Sequence, residues 1–159
     1  MKTTKNLALL FTLTLVLLCT VCASAATLND FTSDGCSLFP DGRFKDRGLW
    51  CDCCLNHDIA YWQGGTKEDR KRADEQLRDC VLERTDSKAL SVLMYDGVRA
   101  GGHPAFPTWY RWGYGWKYGK GYVALTEPEK QLINERLGTY YVKHPAGYCK
   151  ERHGDADQR

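Results

Sequence analysis

Apolar residues recur every three or four positions in three stretches of the chain, which is the spacing of an amphipathic helix. The stretches cover residues 49–62, residues 66 into the 90s, and residues 126–137. Their apolar positions are Leu55, Ile59 and Trp62, then Ala73, Leu77, Cys80 and Val81, then Leu132, Ile133 and Leu137. The pattern therefore predicts a mainly helical domain in which each helix buries one face.

Capping residues mark the ends of these predicted helices. Gly64 and Gly65 end the first helix, and Thr66 followed by Asp69 resembles the capping arrangement that begins a second one. Because the connection is so short, the first two helices are predicted to run antiparallel. Thr126 is the predicted cap of the last helix.

Two stretches lack this periodicity. Residues 26–48 contain scattered glycines and a proline and are predicted to form an ordered loop. Residues 97–121 are rich in glycine, tryptophan and tyrosine and predict either a small β-hairpin or an ordered loop on the helices. The aromatic part of this segment, residues 106–122, is compatible with membrane contact, but aromatic residues in a small domain more often complete the core.

The first 25 residues have the composition of a secretory signal peptide. Two lysines precede an apolar run over residues 7–21, and a small-residue cleavage site ends at Ala25. We therefore expect an exported chain, extracellular or periplasmic. It would have one domain over residues 26–150 and a disordered tail over residues 151–159.

Charge adds little to this picture. The chain has 22 basic and 20 acidic residues, and cleavage after Ala25 would remove two lysines and no acids. The resulting neutral chain gives no support for nucleic-acid binding or for a general attraction to anionic membranes. The sequence does not predict an oligomeric state.

Six cysteines lie outside the predicted signal peptide: Cys36, Cys51, Cys53, Cys54, Cys80 and Cys149. An even number in a small exported chain predicts about three disulfides, although their spacing does not fix the pairing. The alternative is a zinc site, because Cys51, Cys53, Cys54 and His57 are close enough in sequence to supply four ligands. An oxidising compartment favours the disulfides.

His57, Asp58, Tyr61 and Asp74 form a candidate catalytic set. On a helix, His57 and Tyr61 lie one turn apart on one face, while Asp58 points about 100° away. Asp74, on the antiparallel helix, could accept a hydrogen bond from His57 and fix the tautomer that a general base needs. Asp58 is a candidate ligand for a hard cation such as Ca²⁺, with backbone carbonyls from the preceding loop as further ligands.

The segment CCLNHD at residues 53–58, Tyr61, and the pair Ala73-Asp74 resemble the secreted phospholipase A2 superfamily. The resemblance covers about residues 34–81. It implies a mainly α fold with two antiparallel, disulfide-linked helices and a calcium-binding loop. The aromatic and glycine-rich segment would add a small loop or β-hairpin.

The same resemblance implies a role for each motif residue. His57 would activate water, Asp74 and Tyr61 would support His57, and Asp58 would bind Ca²⁺. A cysteine six residues after the supporting aspartate pairs with the first of the two adjacent cysteines in that family, which predicts a disulfide between Cys53 and Cys80.

The segment DGCSLFPDG at residues 34–42 resembles the calcium loop of this family, although it lacks the usual Cys-Gly-x-Gly pattern. By this resemblance, the backbone carbonyls of Ser37, Phe39 and Asp41 would bind Ca²⁺ together with the Asp58 carboxylate. A backbone N–H group of the loop would assist at the reacting carbonyl.

The implied activity is Ca²⁺-dependent hydrolysis of the sn-2 ester of a glycerophospholipid at a membrane or micelle interface. The candidate walls for the acyl chains are Leu28, Phe31, Leu38 and Trp50. The alternative is a catalytically silent, toxin-like module of the same fold that binds a membrane or a protein. The mixed charges over residues 67–78 are interpreted as the solvated face of the second helix.

Overall fold

The computed structural model describes residues 27–153, and this part of the chain is mainly helical. Its five helices are α1 (Cys51–Gln63), α2 (Lys67–Thr85), α3 (Lys88–Gly101), α4 (Glu127–Lys143) and α5 (Tyr148–His153). These residues form no strand, and their only β-pairings are two isolated bridges, Leu28 with Trp116 and Arg43 with Asp46. The predicted signal peptide and residues 154–159 lie outside the described residues.

The turn between α1 and α2 follows the predicted capping pattern. Gly64 and Gly65 have φ values of 68° and 137°, a backbone conformation that L side chains rarely adopt. The Thr66 hydroxyl accepts the Asp69 N–H while the Asp69 carboxylate accepts the Thr66 N–H, which completes a capping box. The two helices therefore fold back on each other.

The prediction that the second helix continues into the 90s is wrong. Asp86 adopts the left-handed conformation, with a φ of 52°, and ends α2. The Ser87 hydroxyl then accepts the Leu90 N–H and begins α3. Asp86 and Ser87 thus interrupt the continuous helix that the apolar spacing alone predicted.

The last predicted helix is longer than its apolar stripe indicated. Thr126 caps α4 as expected, in a capping box with Glu129. The helix passes through Gly138 and ends at Lys143, since Tyr140, two turns after Ile133, is also buried in the core. Tertiary packing therefore outweighs the tendency of glycine to end a helix.

The chain remains helical to His153, so the predicted disordered tail does not begin at residue 151. Cys149 forms a disulfide with Cys51 at the start of α1. The His153 side chain lies 2.7 Å from the Asp41 carboxylate. These contacts hold α5 against the loop that precedes α1.

The first residues of the predicted loop or hairpin, 97–101, belong instead to α3, and the aromatic segment that follows is an irregular, ordered loop. Its backbone bonds to the last turn of α1, with Gly113 N–H donating to the Tyr61 carbonyl and Gly115 N–H to the Trp62 carbonyl. Trp112 and Trp116 are buried, and their indole N–H groups donate to the Gly65 and Gln63 carbonyls. These two tryptophans therefore complete the core, as the second interpretation of this segment expected.

Three disulfides join the six cysteines within residues 27–153: Cys36 with Cys54, Cys51 with Cys149, and Cys53 with Cys80. The predicted Cys53–Cys80 pair is confirmed, and the zinc alternative is wrong because no free thiolate remains in this group. None of the helices within residues 27–153 has the length and apolar content needed to cross a membrane. The disulfides are compatible with a secreted or extracellular protein.

Removing the Cys51–Cys149 disulfide should destabilise the fold more than removing Cys36–Cys54. The first closes a loop of 98 residues and the second a loop of 18. Loop-closure entropy then gives about 4.7 kcal/mol for the first and about 3 kcal/mol for the second. Urea unfolding of the two double Cys→Ala variants measures both values, and equal losses would contradict this ranking.

Candidate active site

His57 and Tyr61 lie one turn apart on α1, and both contact Asp74 on α2. His57 Nε2 is 2.9 Å from Asp74 Oδ1, and the Tyr61 hydroxyl donates to the same oxygen at 2.8 Å. All three side chains are buried. The structure therefore brings these three predicted residues together, in the relation that a general base and its supporting carboxylate require.

The electrostatics of Asp74 fix the tautomer of His57. Burial by itself would raise the pKa of Asp74, but hydrogen bonds from His57, Arg99 and Tyr61 outweigh it and lower the pKa below its usual value. An ionised carboxylate only accepts hydrogen bonds, so Nε2 of His57 is the donor. Nδ1 bonds to no residue within 27–153 and is free to accept a proton.

Two arginines complete this network. Arg99 NH1 donates to Asp74 Oδ2 at 2.6 Å, and Arg70 Nε lies 3.8 Å from the same oxygen. Arg70 also donates to the hydroxyls of Tyr61 and Tyr122. Its remaining guanidinium nitrogen donates to the Val98 and Arg99 carbonyls in the last turn of α3, where the Val98 carbonyl also accepts the Gly102 N–H.

Arg70 corrects the interpretation of residues 67–78 as a solvated face, because its side chain is only 3% exposed. A signal for this was present in the sequence. Arg70 precedes Asp74 by one helical turn and shares its stripe with the apolar Leu77 and Val81. A charged pair on an apolar stripe indicates a buried ion pair.

Asp58 lies away from this network, as the helical geometry predicts. Its carboxyl accepts a hydrogen bond of 2.6 Å from the Ser33 hydroxyl. Burial, which outweighs the Ser33 bond, raises the pKa of Asp58 to about 8, and the Asp34 and Asp41 carboxylates act in the same direction. A buried acid beside two other acids is the kind of group that a bound cation stabilises.

The loop before α1 is held in shape by Asp41. The Asp41 carboxylate accepts the Cys36 N–H at 2.7 Å and contacts His153 and Arg152 of α5. A Cβ atom at Gly35 would lie 2.3 Å from the same carboxylate, so only glycine fits there. Asp41 thus ties the loop to α5.

A cavity of about 190 Å³ opens beside His57 and Asp58. The loop residues Ser37, Leu38 and Phe39 form one wall. A second part of the wall is apolar and consists of Leu77, Met94, Gly97, Val98, Gly101, Gly102 and Tyr110. The base, the metal candidate and part of the predicted calcium loop therefore face one apolar cavity.

Of the four predicted acyl-chain contacts, only Leu38 lines this cavity. Leu28 and Phe31 pack in the core with Trp62, and Trp50 packs in a second cluster with Val81. An apolar side chain is equally suited to the core and to a cavity wall. Composition therefore did not predict which of the four residues lines the cavity. Instead, α3 supplies the apolar wall. The sequence pattern predicted this helix as a continuation of α2.

The residues around the cavity fit a hard cation. Asp58, Ser37 and Phe39 all line it, and carboxylate and backbone carbonyl oxygens are the ligand types that such a cation prefers. Asp41 does not line this cavity, and its carbonyl accepts the Trp50 N–H at 3.1 Å. The structure therefore gives Asp41 a role in shaping the loop, distinct from the ligand role expected for its carbonyl.

A second group of potential metal ligands, Asp41, Cys51 and His153, lies behind the loop. Cys51 is oxidised in the disulfide with Cys149 and has no thiolate to offer. The Asp41 carboxylate already accepts hydrogen bonds from Cys36 and His153. This group serves the packing of α5 on the loop.

A more polar cavity of about 360 Å³ lies on the other side of Asp58. Ser33, Asp34, Trp109 and Tyr110 are among the residues that line it. Asp58 and Tyr110 belong to both cavities. An apolar and a polar cavity therefore meet at the candidate metal ligand.

Comparisons of the chain with protein-family models, with curated proteins and with solved structures find no match. The likeness to the secreted phospholipase A2 superfamily is therefore carried by the motif residues themselves, chiefly His57, Asp58, Tyr61 and Asp74. Their arrangement in the structure is the basis of the function proposed below.

Without bound metal, Asp58 should make the fold less stable as the pH rises. Its pKa of about 8 in the folded chain exceeds the ordinary unfolded value of about 3.9. Its contribution is therefore complete below about pH 4 and is lost as the pH rises through 8, by at most about 1.4 kcal/mol per pH unit. Urea unfolding in EDTA at pH 5 and pH 7.5 measures this loss.

Asp58→Asn should remove this component of the pH dependence. Asp52→Asn, which changes an exposed carboxylate on the same helix, is the matched control and should retain it. Equal pH dependence in wild type and Asp58→Asn would contradict the assignment.

Proposed function

We propose that this chain is a secreted, Ca²⁺-dependent, phospholipase A2-like hydrolase that cleaves the sn-2 ester of glycerophospholipids. The observation that carries the proposal is the buried pair of His57 and Asp74, 2.9 Å apart, at the edge of an apolar cavity. Asp58 and the loop that resembles a calcium loop line the same cavity.

His57 is the general base in the proposed reaction. Its Nδ1 takes a proton from a water molecule as that water attacks the ester carbonyl, and returns it to the glycerol oxygen when the acyl C–O bond breaks. Asp74 accepts the Nε2 hydrogen bond throughout and stabilises the imidazolium that forms. Arg99 keeps Asp74 ionised, and Tyr61 holds the carboxylate in position. No covalent intermediate with the protein is required.

Asp58, with the Ser37 and Phe39 carbonyls, is the proposed holder of a calcium ion. When bound, the ion would polarise the ester carbonyl and neutralise the negative charge that develops on its oxygen. The raised pKa of Asp58 supports this role, because burial and then the neighbouring Asp34 and Asp41 carboxylates disfavour its charged form, which a bound cation would stabilise.

The two cavities suit an amphiphilic substrate. The apolar cavity beside His57 provides room for an acyl chain, and the polar cavity beyond Asp58 provides room for a head group. Leu38 and Trp109, which line these cavities, are 80% and 68% exposed. Exposed apolar side chains next to the cavities are favourable at a lipid–water boundary, which supports a membrane or micelle as the site of reaction.

Purified chain should release sn-2 fatty acid from phospholipid vesicles when calcium is present. Excess EDTA should abolish the release, and His57→Gln should lower it by about 10²–10⁴-fold because the general base is lost. His103→Gln, at an exposed histidine outside both cavities, is the matched control and should keep full activity. Fatty-acid release is followed by chromatography.

Absence of release from an oxidised, folded sample would overturn the proposal. Binding to vesicles without turnover would then favour the alternative, a catalytically silent module of the same fold. Release that persists in EDTA would contradict the metal assignment alone.

Asp74→Asn should lower both activity and stability. The amide presents a neutral partner to His57, which disturbs the tautomer and the imidazolium, and we expect a loss in kcat of about 10²–10⁴-fold. It also leaves Arg70 and Arg99 without their buried counter-charge, which should cost about 3–5 kcal/mol. Kinetics and urea unfolding measure the two effects, with the exposed Asp79→Asn on the same helix as control.

A further inference from the structure

We infer that Gly97 on α3 determines the length of acyl chain that the apolar cavity accepts. The inference rests on the proposed function, since it concerns the substrate chain at that site. It is carried by the position of Gly97 on the cavity wall and by the open space where a Cβ atom would lie.

One face of α3 forms part of the cavity wall. Met94, Gly97, Val98 and Gly101 follow helical spacing and all line the cavity. Met94 is buried, whereas Gly97 is exposed to solvent. The cavity therefore reaches the protein surface beside Gly97.

Neither packing nor helix stability explains a glycine at this position. A Cβ atom at Gly97 would have no atom within 4 Å, while one at Gly102 would lie 2.4 Å from the Tyr61 ring. Gly102 is thus required by close packing and Gly97 is not. Because glycine weakens a helix interior relative to alanine, its effect here is to leave the cavity open.

The size of the cavity limits what it encloses. The cavity has a volume of about 190 Å³, so we expect it to enclose only a short acyl chain. A longer acyl chain must therefore extend out of the cavity, and the open space at Gly97 offers it a path past α3. A leucine at this position would close this path and limit the site to short chains.

Binding of n-alkyl phosphocholines with six, eight, ten and twelve carbons tests this inference. They contain no ester and are not hydrolysed, so calorimetry below their critical micelle concentrations reports binding alone, in calcium buffer. Each methylene buried fully strengthens binding by about fourfold. Wild type should therefore bind the twelve-carbon compound at least about tenfold more tightly than the six-carbon one, even with partial burial.

The affinity of Gly97→Leu for the six-carbon compound should lie within about twofold of the wild-type value. Its affinity should rise less than about threefold from the six-carbon to the twelve-carbon compound. Gly138→Leu is the matched control, since Gly138 is also an exposed helical glycine with no atom within 4 Å of its Cβ position. It lines neither cavity and should follow wild type. Gly97→Ala should also follow wild type, because a methyl group leaves the path open.

A full rise in affinity with chain length in Gly97→Leu would overturn the inference, and so would an equal loss for all four compounds. Hydrolysis of long-chain and short-chain phospholipids by the same variants separates the two proposals. If wild type releases no fatty acid, the proposed function fails. If wild type hydrolyses both and Gly97→Leu keeps the same chain-length profile, only the role of Gly97 fails.

Discussion

The structure depends on a carboxylate that water does not reach. Asp74 is fully buried, and a buried charge is tolerated only when opposite charges and hydrogen-bond donors surround it. Its partners come from three helices: His57 and Tyr61 from α1, Arg70 from its own α2, and Arg99 from α3. The requirement to satisfy one charge thus fixes how these helices pack and, in the same arrangement, the orientation of the candidate base.

Covalent bonds hold the other half of the site. Cys54, on α1, is bonded to Cys36 in the loop, and Cys51, at the start of α1, is bonded to Cys149 on α5. Asp41 adds a polar link between loop and α5. In a domain of this size the apolar core is modest, so cross-links supply rigidity where the loop has no regular structure. The loop can then present its backbone to the cavity beside Asp58.

Sequence reasoning predicted the features that depend on local spacing. The turn at Gly64, the caps at Thr66 and Thr126, and the meeting of His57 with Asp74 follow from residues near one another or one helix apart. It did not predict the features that depend on tertiary contacts. The hydrogen-bond partners of Arg70 on α3 and at Tyr122, and the packing of α5 on the loop, lie many residues away, and helical periodicity does not identify them.

The link between loop and α5 has a consequence for when the site forms during synthesis. Cys149 follows its partner Cys51 by 98 residues, and His153 follows Asp41 by 112. A chain still being made therefore lacks the contacts of α5 with the loop until almost all of residues 27–153 have been synthesised. The candidate site would in this way stay incomplete until synthesis of these residues is nearly over.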